Sequence, residues 1–385
     1  MVRLRTAALM PPARRWVSTK GASSRLKVAV VGTGRMGQIR LSGMQKMSDQ
    51  VEIAAIVDAS LSDRSASERL ERQYGAPRFP SMDAAASVLQ DVDGVWVATP
   101  TPTHLDVIQD ALRLSPSRLR SIGIEKPVAA TLPEIDTAYN ACFDRRVHLV
   151  CSFQRRFDPS YQALRRECVD AKSLGALQSI HTVFRDHPCP PVEFLKTGGD
   201  PFHDLAVHDI DYVCSIVGEY PTRVYAHGTS LSEELRAVNV MDKASVWLEF
   251  ERSGVVCTMD VSRRADYGYD QRIEVAGERG MLQVLNPPKT TVVVSNDRGA
   301  QHDVAVHSFP ERFQDAYALE LRHWVDVLRG LAAPVVHWNA ARMATIIAEA
   351  ARIAATERKI VTLKYDKTRQ DQPRQDPYVD VEYEY

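Results

Sequence analysis

The stretch that most restricts how this chain can fold is "LKVAVVGTGRMGQIR", residues 26–40. A short valine-rich run reads as a buried strand, and apolar residues at helical spacing follow it. Between the two stand Gly32, Gly34 and Gly37, in the spacing G-x-G-x-x-G. A strand, a glycine turn and a helix in immediate succession form the start of a βαβ unit, whose next strand must lie parallel to the first. The segments that follow keep this rhythm. "VEIAAIVD", "VDGVWVATP", "LRSIGIEKP" and "VHLVCSF" read as further buried strands, with amphipathic stretches such as "HLDVIQDALRL" between them. The expected fold is an α/β Rossmann domain, a doubly wound parallel sheet, over residues 25–150.

Each glycine of the turn has a mechanical reason. Gly32 permits the sharp turn, Gly34 lets backbone approach a pyrophosphate, and Gly37 lets the helix pack on the strand. The helix start, with Arg35 and Met36, then offers free N–H groups and a partial positive charge to phosphates. Asp58 ends the second strand, where a carboxylate accepts hydrogen bonds from a ribose diol and repels a 2′-phosphate. NAD is therefore expected over NADP. Ligands in such sheets sit beyond the C-terminal strand ends, so "ATPTPTH" (with Thr99, Pro100 and His104) and "EKP" (with Glu125 and Lys126) should line the same crevice.

After Arg155 the rhythm changes. Strand-like runs such as "KASVWLEFE", "VVCTMDVS" and "QRIEVAGERGMLQVL" follow one another without intervening helices, and two helices close the chain. This predicts an α+β second domain with a mainly antiparallel sheet, residues 151–365, for substrate binding and oligomerisation. At its start lies "GGDPFHDLAVHDID" (198–211), which holds two histidines and four aspartates. A metal site, a proton-transfer site and a solvated helix face all compete for this composition. His203 and His208 are five apart and splay to different faces, against the i, i+4 pair a zinc site wants, so no metal is expected. Asp204 and His208 are at i, i+4 and share a face. An imidazole titrating near neutrality suits a hydroxyl proton, with His208 as general base. Lys126 would then hold the alcohol oxygen, and Asp204 would orient the lysine or the substrate. His203 and Asp209 are read as capping or orienting groups.

"GTGRMG", "ATPTPTH", "EKP" and "GGDPFHDLAVHDID", in this order, resemble the Gfo/Idh/MocA oxidoreductases over nearly the whole chain except its ends. "QRRFDPSY", "RDHPCPP" and "YGYDQRIEVAGERGML" are most similar to the inositol 2-dehydrogenases of that family. The resemblance implies Lys126, Asp204 and His208 as the catalytic set, with Arg155, Asp186 and Tyr269 where polyol-binding side chains fall. The inserted His187 departs from the pattern beside Asp186. The implied reaction is NAD-dependent oxidation of a cyclic polyol, myo-inositol to scyllo-inosose. Another inositol isomer or sugar, or a non-catalytic NAD-binding regulator, are the alternatives. A homotetramer is implied in the same way.

The formal net charge of −1 argues against nucleic acid or an anionic membrane as the main partner. Six cysteines without a C-x-x-C pair fit a reduced compartment. Residues 1–24 are arginine-rich and free of acidic residues, the composition of a transit peptide, which predicts the mitochondrial matrix, with a cytoplasmic location as the alternative. Residues 366–385 read as a polar tail or a docking arm.

Overall fold

The computed structural model describes residues 25–62, 64–197, 199–365 and 383–384. The expected transit peptide and nearly all of the polar tail lie outside them. The chain divides into two compact units. One holds the described residues through Phe153 together with Tyr317–Trp338, and the other holds Gln154–Ala316 with the residues from Asn339 onward.

The first unit is built on a six-stranded sheet in the order β3-β2-β1-β4-β5-β6. Its strands are β1 (Leu26–Val31), β2 (Val51–Val57), β3 (Arg78–Phe79), β4 (Gly94–Val97), β5 (Ser121–Ile124) and β6 (His148–Cys151), all paired in parallel. Strand order reverses between β1 and β4, the switch point at which such sheets bind ligands. The apolar runs that marked these strands are buried on both faces, as parallel strands between two helical layers must be. The two-residue strand β3 was not anticipated, being too short for any periodicity to register.

A second difference is larger. The helix Gln314–Leu328 belongs to the first unit from Tyr317 on, although it follows the second unit's strands in sequence. The reason is packing: Trp324 is fully buried edge-on against Trp96 of β4, with ring centroids 5.1 Å apart, and its indole N–H donates to Ser121 Oγ at 3.1 Å. Leu321, Val325 and Leu328 join the same core. Truncating such an indole to alanine costs about 3–5 kcal/mol, enough to fix the helix there.

The second unit carries an eight-stranded sheet in the order β12-β11-β7-β10-β9-β8-β15-β16. These are β7 (Leu177–Arg185), β8 (Arg223–Thr229), β9 (Lys243–Glu249), β10 (Val256–Ser262), β11 (Asp270–Gly277), β12 (Gly280–Val284), β15 (Val361–Leu363) and β16 (Tyr383–Glu384). A separate hairpin pairs β13 (Val293–Asn296) with β14 (Gly299–His302). All pairings are antiparallel except β7 with β10. Alternation of buried and half-exposed positions along β9 and β10 gives the sheet one covered face, as antiparallel sheets commonly have. The helix Val207–Val217 is buried along nearly its whole length.

Candidate active site

The glycine turn behaves as its spacing requires. Gly32 has φ +95°, and a Cβ there would stand 2.5 Å from the Ala98 carbonyl oxygen. A Cβ on Gly37 would stand 2.0 Å from the carbonyl oxygen of Gly32, so only glycine lets the helix Arg35–Gln45 start so close to the strand. Gly34 differs: a Cβ there would meet nothing within 4 Å. The protein's own packing does not demand glycine at that position, and the open space is what a pyrophosphate against the backbone needs. Gly34 stands at the N-cap of this helix, whose start presents backbone N–H donors and a partial positive charge of the kind that holds phosphates.

Asp58 closes the turn from the end of β2. Its Oδ2 accepts from Thr33 N at 2.5 Å and Thr33 Oγ1 at 2.6 Å, and its Oδ1 from Ser60 N at 2.8 Å and Ser60 Oγ at 2.6 Å. Burial works to raise this carboxyl, but the donors from Ser60 and Thr33 outweigh it and hold it below the usual range. An ionised group thus waits where a ribose would lie. Two of its four donors are rotatable hydroxyls that can give way to ribose hydroxyls. The turn, the helix start and this carboxylate fit NAD.

Two residues expected to touch the cofactor hold the loops in place. His104 is buried, its Nδ1 2.9 Å from the Pro127 carbonyl oxygen and its Nε2 2.9 Å from that of Thr99. It ties the loop after β4, with Thr99 and Pro100, to the loop carrying Lys126. Burial pulls its pKa down, the two carbonyls opposing; a neutral ring donates to one of them at a time. Glu125 points into the unit, where Oε1 accepts from Arg40 Nε at 2.7 Å and Trp96 Nε1 at 3.1 Å. Arg40 lies over the Trp96 ring at 4.2 Å and also pairs with Glu320 at 2.8 Å, to which Ser152 Oγ donates at 3.0 Å. Two carboxylates share one guanidinium. Burial, followed by the Glu125 charge, pushes Glu320 up to about 7, with Arg40 and Ser152 opposing. Lys126, next in the chain to Glu125, is half-buried at the end of β5.

In the second unit, "GGDPFHDLAVHDID" is not one regular helix. Phe202–Ala206 form a π-turn, with Val207 N–H reaching the Phe202 carbonyl, before the α-helix begins at Val207. Asp204 sits in the π-turn and His208 in the first α-turn, so the regular i, i+4 geometry assumed from sequence is modified there. Such turns recur at functional sites. Most of the charge in this stretch is matched by cations. Asp204 pairs with Arg263, and Asp209 with Arg155. Asp211 takes both Arg156 Nε and Nη2 at 2.7 Å. Asp200 accepts from Phe202 N, His203 N and His203 Nδ1 at 2.8–2.9 Å, so the cap is Asp200 and the His203 ring holds its carboxylate. His208 is 8% exposed.

The three residues expected at a substrate divide. Asp186 is half-buried just beyond β7, its Oδ1 accepting from His187 N at 2.9 Å; the inserted His187 turns its ring onto His307, at 4.8 Å between centroids. Arg155 and Tyr269 are each 1% exposed. Arg155 lies between Asp209 and Gln271 with its guanidinium 4.7 Å from the Phe184 ring centre, and Tyr269 packs on Phe184 and Phe313. Both sit behind the surface, as supports, rather than on it. Burial pushes Asp209 up even beside Arg155. Sequence reasoning missed Arg40, Glu320 and Arg263. Only Arg263 had a local signal, an arginine doublet beside "YGYD" like the doublet at 155–156.

Comparison with known proteins agrees with this architecture. Residues 26–153 match the NAD-binding Rossmann fold of an oxidoreductase family, and residues 161–283 match the GFO/IDH/MocA C-terminal domain. The chain is 33% identical to inositol 2-dehydrogenase 1 of Saccharopolyspora erythraea, covering 84% of this chain and 92% of that one. It is 29% identical to scyllo-inositol 2-dehydrogenase (NAD(+)) of Bacillus subtilis, over 81% of this chain and 88% of the relative. The crystal structure of a myo-inositol dehydrogenase from Corynebacterium glutamicum superposes with a TM-score of 0.81 at 28% identity, covering 89% and 100% of the two chains. Fold and cofactor cradle therefore define an NAD-dependent oxidoreductase. The chain belongs to the Gfo/Idh/MocA family.

Proposed function

We propose that this oxidoreductase converts a secondary hydroxyl of a cyclic polyol to the ketone, with myo-inositol, oxidised at its axial hydroxyl to scyllo-inosose, as the substrate. The observation that carries the reading is the Asp204–His208 segment: a carboxylate held by a buried arginine and, four residues on, an imidazole at the start of a buried helix. Relatives bearing inositol dehydrogenase names at 28–33% identity over most of both chains support it.

NAD, when bound, would supply the acceptor for the hydride of the carbinol carbon. The chain's own residues handle the proton and the charge. Lys126 Nζ donates a hydrogen bond to the reacting oxygen and stabilises the negative charge that develops there. His208 accepts the hydroxyl proton, so that the C–H and O–H bonds break as the C=O bond forms. Asp204 remains ionised and orients its neighbours. Gly34, the start of the helix Arg35–Gln45 and Asp58 hold the dinucleotide.

The test is to incubate purified protein with NAD and a panel of myo-, scyllo- and chiro-inositols and aldoses, following NADH absorbance. The highest kcat/KM is expected with myo-inositol. A preference for scyllo-inositol would move the substrate to the isomer named for the Bacillus relative. NAD binding without turnover on any polyol or aldose would contradict the enzyme reading and leave a cofactor-binding regulator.

A further inference from the structure

We infer that Arg263 is a positioning residue for the proton transfer, fixing the turn that carries Asp204 and keeping that carboxylate ionised; this rests on the polyol-oxidation reading above. Arg263 follows β10 directly, and its backbone N–H donates to the Asp242 carbonyl at 2.7 Å. Its side chain runs into the unit and is 1% exposed. One terminal nitrogen, Nη1, donates to Asp204 Oδ2, and the other, Nη2, donates to the Gly199 carbonyl at 2.9 Å. A single planar fork therefore joins the glycine that precedes the π-turn to the carboxylate within it. Gly199 has φ +97°, a backbone conformation other residues rarely adopt, so the turn needs an external hold as well as its own glycine. The neighbouring Arg264 is different in kind: its side chain is 70% exposed, with Asp266 at 3.9 Å.

The burial of the two partners is unequal. Arg263 is enclosed, while the Asp204 side chain keeps 21% of its surface. The guanidinium therefore backs the carboxylate from inside and leaves its other edge outward. A guanidinium in hydrogen-bond contact favours the ionised carboxylate. Asp204 is thereby removed as a rival proton acceptor, and His208 is left with that role. Ionisable groups near the pair include Asp200 and His203 on the same turn, His208 beyond it, and Cys189, Asp186, Asp242 and Arg264 from neighbouring segments; burial pushes the Cys189 thiol up, Arg264 and Arg263 oppose this, and Asp186 and Asp242 add to it. Lysine cannot replace this arrangement, because one ammonium does not span a carboxylate and a carbonyl with two fixed donors.

Arg263→Met and Arg263→Lys, assayed as intact chain with saturating NAD and the best polyol, test the inference through kcat, KM and the pH profile of kcat/KM. For Arg263→Met, kcat/KM is expected to fall about 100-fold. Its acid limb should move up by about one pH unit, because removing this cation makes protonation of the site more favourable. NAD affinity, measured by fluorescence titration, should stay within about threefold, since the glycine turn lies in the other unit. Arg263→Lys keeps the charge, so the acid limb should stay in place while kcat falls about tenfold. An Arg263→Met enzyme with unchanged pH profile overturns the inference, as does either variant with unchanged kcat. If the methionine variant does not fold, the lysine variant decides alone, by the same split between kcat and the acid limb. Wild-type protein inactive on every polyol would instead remove the function from which the inference starts.

Discussion

In the first unit one buried guanidinium, Arg40, serves two carboxylates, Glu125 and Glu320. In the second, Arg155, Arg156 and Arg263 each take one aspartate of the 204–211 segment. The first arrangement places two carboxylates on one buried guanidinium, and burial together with the Glu125 charge raises Glu320 to about 7. The second closes its charges pairwise, although burial still pushes Asp209 up. Both lie directly behind residues proposed to act on substrate: Lys126 follows Glu125, and His208 stands among the paired aspartates. The difference teaches that the two supports should respond differently to pH, although both are built of arginine and carboxylate.

The largest expected effect breaks a closed pair. Arg155→Met leaves Asp209 buried beside Gln271 without its cation, and losing one partner of a buried pair costs about 3–5 kcal/mol. Urea unfolding followed by tryptophan fluorescence measures this loss. A change under about 1 kcal/mol would show the pair to be no support at all.

The next sharpens the contrast. Glu320 has a folded-state value of about 7 against an ordinary 4.5. Below the lower value both folded and unfolded chains hold the proton. Between the two, the unfolded chain releases it first, so stability falls as pH rises, and the loss is complete above the higher value. Its size is on the order of 3 kcal/mol. Glu320→Gln should flatten this slope between pH 5 and pH 8 in urea titrations, whereas Asp211→Asn should leave the slope intact. A wild-type slope surviving in Glu320→Gln contradicts the shared-charge account.

A smaller effect is expected at Asp58. Replacing it with alanine removes the acceptor of four donors around the glycine turn, and NAD affinity should drop about tenfold while NADP affinity rises. Isothermal titration with both dinucleotides decides. Smallest is Tyr267→Phe: this hydroxyl donates to Asp270 and accepts from Arg185 on an exposed ring, so about 1 kcal/mol of stability should go.

What could be read from the amino-acid order was whatever is local. The strand, glycine turn and helix of residues 26–45 are neighbours in sequence and in space, so spacing alone assigned packing roles to Gly32 and Gly37 that the backbone bears out. The longer strands of both sheets were legible for the same reason, whereas the two- and three-residue strands β3, β15 and β16 were too short to register. The long-range partners were not. Trp324 meets Trp96 from more than two hundred residues away, and Arg40 meets Glu320 from farther still, so no periodicity reports either. The π-turn at Phe202–Ala206 is a change of backbone hydrogen bonding that leaves the pattern of side chains unaltered. Arg155 and Tyr269 were expected at a substrate because sequence shows that a polar group is present, but not which way it faces.

The central claim is that His208 takes the hydroxyl proton while the glycine turn holds the dinucleotide. Steady-state turnover and NAD affinity of His208→Ala, measured at neutral pH with the preferred polyol, test it most directly. The account predicts kcat lower by about 10²–10⁴-fold with NAD affinity unchanged. Wild-type kcat in a variant that binds NAD normally would contradict it.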